Sequence, residues 1–332
     1  MKPGSKGFYE ELVGLGISRP AIAAVWPNWW SDEAETSKSA QAELRFTVAR
    51  RLGLAPKSVI GEDHPEFIWK HEAKFKGLLT YGGAEQAALT SFGVALTRHL
   101  RKGIPPMQRE VPSASDLRNA ILVNRPFVRL QDICATSWAL GIPIVHLRVF
   151  PLAAKRMVAM AVRISTGYAI LVCKDSRYPA PSAFHIAHEL GHIASGHLEN
   201  GSAIVDLDEV MSATDKDGEE READKFALEI LTGQEAPEFQ FNEAPRNGLE
   251  LAAAAEKASQ GSRIEPGTIA LCYGYQTSDW RNANAALNHI YQEKHEVWRF
   301  LNEVALRELN WSSYQDDEAA YLKAILGAPG LA

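Results

Sequence analysis

Apolar positions along this chain change period near its first third. Leu44, Val48 and Leu52 recur every fourth residue, which puts them on one stripe and predicts a helix over 40–54. Two shorter helices are expected before it. One covers 10–15 and stops at Gly16; the next follows Ser18, a residue type that caps helices, with Pro20 in the first turn where its missing N–H is harmless. Helix, glycine turn and Ser-capped helix make a helix-turn-helix pattern. Residues 62–110 also read as helical, and Gly103-Ile104-Pro105-Pro106 reads as a linker.

Past Pro112 the pattern alternates between helix and strand. Helices are expected at 117–122 and at 130–140, the second stopping at Gly141. Three Val- and Ile-rich runs at 142–149, 157–164 and 168–173, punctuated by Pro151 and Gly167, predict strands. A helix over 182–196 comes next, with Ser182 as cap and Gly196 as stop. The acidic, poorly periodic stretch 206–218 reads as a surface loop. A helix over 219–231 then stops at Gly233, and the chain from 235 onward is mostly helical. The expectation is an α+β chain, mainly helical, in four parts: a helix-turn-helix-like region 1–62, a helical linker region 63–111, a region 112–235 with a small sheet, and a C-terminal helical region 236–332.

The helix at 182–196 carries the chemistry. At roughly 100° per residue, His185, His188 and His192 share one face, while Ile186, Leu190 and Ile193 share the other with Ala183, Ala187 and Ala194. Four of the chain's ten histidines fall within 185–197, too concentrated for an ordinary solvated face. His188-Glu189-Leu190-Gly191-His192 is an H-E-x-x-H motif, whose two histidines one turn apart reach the same ion while the glutamate sits beside it. Catalytic zinc takes three protein ligands, so a third is needed. On the helix 219–231, Ala223, Phe226, Ala227, Ile230 and Leu231 form an apolar stripe. Glu222 flanks that stripe, Glu219 shares its face as a competitor, and Asp224 on the other flank suits an outer partner that orients an imidazole. Glu220 and Glu229 read as solvated charges. His197 stands five residues past His192, where the extended H-E-x-x-H-x-x-G-x-x-H pattern needs six, so it is expected outside the ligand set.

These motifs resemble the ImmA/IrrE family of bacterial zinc metallopeptidases. Phe184 followed by Ala187-His188-Glu189-Leu190-Gly191-His192 is similar to that family's F-x-x-A-H-E-L-G-H helix, and Glu222-Ala223-Asp224 with Phe226-Ala227 to its E-A-[ND]-x-F-A helix. Leu140-Gly141-Ile142-Pro143-Ile144 is similar to the strand entering the domain, whereas Leu231-Thr232-Gly233 departs from the usual Leu-Met-Pro. The resemblance covers about 115–235. It implies a zincin-like core, Zn2+ (Mn2+ in vitro) held by His188, His192 and Glu222, and Glu189 as general base in peptide hydrolysis. Its implied substrate is a repressor-type transcription factor or antitoxin, cleaved in a bacterial stress, phage or mobile-element response. The competing reading is a non-enzymatic transcriptional regulator or toxin–antitoxin component with a structural zinc. For the oxyanion, His185, Tyr168 and Tyr178 are candidates by their nearness in sequence. The strand at 157–164 is a candidate sheet edge for an extended substrate, and Cys173 a candidate inhibitory thiolate.

Charge bears on the partners. Residues 14–60 are similar to Xre-type repressor domains, notably at Leu15-Gly16-Ile17-Ser18-Arg19 and Ala49-Arg50-Arg51-Leu52-Gly53-Leu54. Yet residues 1–60 hold eight Lys and Arg against six Asp and Glu, and the whole chain carries −6, so no strongly basic DNA-binding face is expected. No run approaches the roughly 18 apolar residues of a membrane span. Three scattered cysteines without a C-x-x-C pair fit a reducing, cytoplasmic setting. A homodimer is a further expectation for the chain's partners.

Overall fold

The computed structural model describes residues 3–60, 65–70, 72–76, 81–107, 110–199, 202–207, 217–293 and 295–328. The N-terminal part is helical: α1 (Pro3–Gly14), α2 (Arg19–Val25), α3 (Lys38–Leu52) and the short α4 (Pro56–Ile60). Ser18 caps α2 as its sequence demands, its Oγ accepting from the Ala21 N–H. Then come β1 (Ala73–Lys76) and the long α5 (Gly83–Lys102). The middle of the chain runs α6 (Ala114–Leu122), α7 (Leu130–Ala139), β2 (Ile144–His146), β3 (Met157–Ile164), β4 (Gly167–Val172), α8 (Pro179–Ala194), β5 (Ala203–Leu207) and α9 (Gly218–Thr232). Five helices follow: α10 (Gly248–Ser262), α11 (Pro266–Thr277), α12 (Trp280–Tyr291), α13 (Val297–Glu308) and α14 (Asp316–Ile325).

The five strands form one mixed sheet in the order β1-β5-β3-β4-β2. β3 runs antiparallel to both of its neighbours, while the outer pairs β1·β5 and β2·β4 are parallel. Side chains alternate across β3. Met160 and Val162 enter one apolar cluster with the N-terminal helices, α5 and α14, and Ala161 enters a second with α6 to α9. α5 comes close because Gly93 faces Met160: a Cβ there would lie 2.5 Å from Met160 Sδ. Helices thus cover both faces, and β3 is buried along nearly its whole length. The first cluster draws on residues from Phe8 to Leu326, so the parts expected at 1–62, 63–111, 112–235 and 236–332 share core packing across their boundaries. A third cluster, formed by α10, α11 and α12, packs against Tyr178 at the start of α8.

Several expectations change here. The region 63–111 is helical only in part, because β1 lies within it. The run at 142–149 pairs over only three residues, and Asn302 on α13 bonds the N–H and C=O of His146 much as another strand would. The strand at 157–164 is no free edge, since β5 lies along one side and β4 along the other. Residues 206 and 207 belong to β5 and not to a loop; the rest of that acidic stretch, up to 216, lies outside the described residues. α8 begins three residues before the expected Ser182 cap, because Pro179 is accommodated at its first positions where no N–H is needed.

Candidate metal centre

α8 and α9 pack side by side over the sheet, and a glycine sets their spacing. A Cβ on Gly191 would lie 3.0 Å from both the Cα and the carbonyl oxygen of Ala223 on α9. Ile186, Leu190 and Ile193 bury the opposite face of α8 against the sheet and its neighbours. His188 and His192, one turn apart, are left in the seam between helices and are themselves buried. Their Nε2 atoms are 3.1 Å apart.

Four side chains converge there: His188, His192, Asp206 and Glu220, with one donor atom from each lying within 4.8 Å of all the others. Glu220 Oε1 is 3.2 Å from His192 Nε2 and Glu220 Oε2 is 3.4 Å from His188 Nε2. Asp206 Oδ2 stands 3.4 Å from His188 Nε2. Burial alone would raise Glu220, but its bonds to the two imidazoles hold it well below the usual carboxylate range. Burial would lower His188, and Asp206 leads the carboxylates that hold it well above the ordinary imidazole value instead.

The outer bonds set the tautomers. His188 Nδ1 is 3.0 Å from Asp224 Oδ1 and donates to it, so that with an ion bound Nε2 would be the nitrogen left to face it. His197 Nε2 lies 3.1 Å from Glu222 Oε2 and donates to it. With an ion bound, its Nδ1 would be the acceptor, 2.9 Å from His192 Nδ1, so that His192 would donate there and likewise leave Nε2 for the ion. Two imidazole nitrogens and two carboxylates facing one point need shared positive charge, either protons on the nitrogens, with Lys76 Nζ 3.8 Å from Glu220 Oε1, or a metal cation in their place. Imidazole with carboxylate in a compact, buried set suits zinc and the other divalent transition metals.

Glu189 adjoins this set on α8 and is 0% exposed. No well-formed hydrogen bond reaches either of its oxygens among the described residues. Burial pushes its carboxyl well above the usual range, Asp206 and Glu220 push the same way, and His188 and the Ala161 main chain oppose them.

The expected third ligand is corrected by this geometry. Glu222 side chain is 62% exposed and reaches His197, whereas Glu220, read from the sequence as a solvated charge, is 6% exposed and faces both histidines. Two residues along a helix turn a side chain by about 200°, so Glu220 and Glu222 point apart. Glu219 is drawn off by Lys74 and Lys76 of β1. Asp206 was missed because the acidic run hid a five-residue strand; the alternation Ile204, Asp206 toward α8 and Val205, Leu207 toward α5 is its faint signal.

The remaining candidates lie elsewhere. Tyr178 donates its hydroxyl to Asn288 on α12 and stacks on Tyr291, so it faces the C-terminal helices. Tyr168 stands at the start of β4 under the Arg163 guanidinium. His185 packs edge-on against Phe184 and does not join the converging group. Cys173 is buried in the α5-side cluster, its thiol pushed up to about 12 by burial, so the thiolate switch has no geometric basis. In the N-terminal region, Arg51 is 2% exposed and bonds Asp317 of α14 and the Val25 carbonyl, and is therefore withdrawn from any nucleic-acid surface. Trp26 and Trp30 pack onto the core. No helix among the described residues is long and apolar enough to cross a membrane.

No protein-family model matches the chain, and no curated protein or solved structure matches it either.

Proposed function

We propose that the chain is a zinc-dependent endopeptidase in which His188, His192 and Glu220 hold the ion and Glu189 is the general base. One observation carries this reading: a carboxylate that no structural metal site requires, Glu189, is buried without a well-formed hydrogen bond among the described residues, beside two inward-facing imidazoles. Leaving a buried carboxyl in that condition costs about 1–3 kcal/mol, which a purely structural site would not need to bear. A zinc ion here would lower the pKa of water toward about 7 and polarise a peptide carbonyl. Glu189, ionised when a bound cation offsets its burial, would accept a proton from the attacking water and deliver it to the leaving amine. Asp224 and the His197–Glu222 pair keep the two imidazoles turned inward throughout. The ImmA/IrrE resemblance points to a helix-turn-helix repressor or antitoxin as substrate, in a cytoplasmic stress response.

A second reading has its own support. Four protein donors fill a tetrahedral zinc shell, and closed shells are characteristic of structural sites. The discriminating experiment incubates the zinc-loaded protein and its Glu189→Gln variant with fluorescein-labelled casein and with helix-turn-helix repressors encoded beside its gene. Cleavage that depends on Glu189, by the parent or once Asp206 is removed, is the expected result. Equal fragmentation by both proteins, or none by either even after Asp206 is removed, assigns the metal a structural role.

A further inference from the structure

The fourth donor sits near the end of β5. Asp206 is the penultimate residue of β5, and it stands where pairing with β3 becomes irregular: Met157 and Ala159 oppose Leu207 and Asp206 across a register shift. Ile204 and Asp206 point to the α8 side of the sheet, so the strand's alternation aims the carboxylate into the centre. Ala159, paired with Asp206, and Ala161 beyond it are small, which leaves the carboxylate room beside α8. β5 also covers the β3 edge that an extended peptide would need for pairing over the centre. It is held from its far side by β1, whose Lys76 pairs with Asp206 in register. Lys74 and Lys76 tie that strand to Glu219 and Asp217 at the start of α9.

Resting on the metallopeptidase reading, we propose that Asp206 is a displaceable fourth metal ligand that keeps the centre closed. His188, His192 and Glu220 alone would leave one tetrahedral position for water or a peptide carbonyl, and Asp206 fills it. The same movement that withdraws the end of β5 opens the coordination position and frees the β3 edge, so one displacement supplies both needs of catalysis. Of the ion pairs that fasten β1 to α9, Lys74 (51% exposed) and Asp217 (55%) lie open to a binding partner, while Lys76 is 10% exposed and holds the inner end.

The test uses the full chain stripped of metal and reloaded with Co2+, whose visible spectrum reports coordination. Acetohydroxamate, a small metal-binding ligand, is the probe for an open position. The wild-type spectrum should stay unchanged on adding it, and that of Asp206→Ala should shift. Zn2+ affinity of Asp206→Ala should fall by at least about 10- to 100-fold, because even an outer partner of a ligand is worth that much. Asp206→Asn, which keeps the shape of the side chain, should behave in the same direction if the alanine variant folds poorly. A wild-type spectrum that shifts as readily as the variants', or variants with unchanged Zn2+ affinity, overturns the closure. Casein hydrolysis in the same samples separates the two ideas. Opened but inactive variants uphold Asp206 as a ligand and sink the peptidase, while hydroxamate-responsive, active wild type upholds the peptidase and sinks the closure.

Discussion

At the residue scale, the centre is decided by which way single carboxylates point. Glu220 and Glu222 differ by two positions, yet one touches both imidazoles and the other reaches outward to His197. Glu220→Ala should therefore weaken Zn2+ binding by more than about 100-fold, beyond the loss expected for an outer partner, and Glu222→Ala should keep full metal stoichiometry. Metal content after dialysis against a chelator distinguishes them; loss of metal in Glu222→Ala alone would reinstate Glu222. Asp224→Asn should lower Zn2+ affinity about 10- to 100-fold by removing the charge that holds His188 in its inward-facing tautomer, measured by competition titration. The histidines and Glu189 were legible from the motif, because a one-turn spacing fixes their relation without tertiary information. The third carboxylate was not, because three acids within four residues offer three directions and only the position of α8 selects one.

At the element scale, the α8–α9 seam and the α3–α14 contact carry the arrangement. Gly191→Ala would press a methyl group onto the backbone of Ala223, where no side chain can turn away. The expected consequence is about 1–3 kcal/mol of destabilisation with a shift of α9 that carries Glu220 out of reach, seen as lower melting temperature and lower bound Zn2+ together. If metal binding survives at wild-type affinity, the seam is less tightly coupled to the centre than its spacing implies. On the other side of the sheet, Asp317→Ala leaves the Arg51 guanidinium buried without its countercharge. A loss of about 3–5 kcal/mol is expected in urea unfolding, with the metal centre unaffected until the chain unfolds. The capping signals at Ser18 and Gly233 could be read directly, since they satisfy local backbone groups, whereas the helix expected through residue 54 stops earlier, at Gly53. The short strands β1 and β5 could not, because four or five residues in a charged context gain their stability from neighbours distant in the sequence.

At the scale of the whole molecule, helices from both ends of the chain join one sheet, and acid should loosen that union. His146 on β2 is buried beside Asn302, and burial, only partly offset by Asp175, depresses it to about 4. The unfolded chain takes up a proton near its ordinary pKa of about 6.5, which the folded chain refuses until about 4. This stability is present above the unfolded value and is lost as pH falls through that window. Glu318, held down to about 2 by His99 and Lys102, adds a second loss below its unfolded value of about 4.5. Chemical unfolding free energy should thus decline steadily from neutral pH toward pH 4, and His146→Gln should flatten the upper part of the slope. An unchanged slope in that variant would transfer the acid sensitivity to other groups.

The sequence by itself determined the α+β character, the histidine helix with its buried apolar face, and the caps that start and stop the flanking helices, all of which depend on spacing within one or two turns. Only the tertiary structure decided that β5 lies between β1 and β3, that Asp206 and Glu220 meet at the two histidines, and that Glu222 serves His197 instead. Those outcomes depend on how elements far apart in the chain are brought together, and the physical reason is that a carboxylate's partner is set by packing and desolvation, not by its neighbours in sequence.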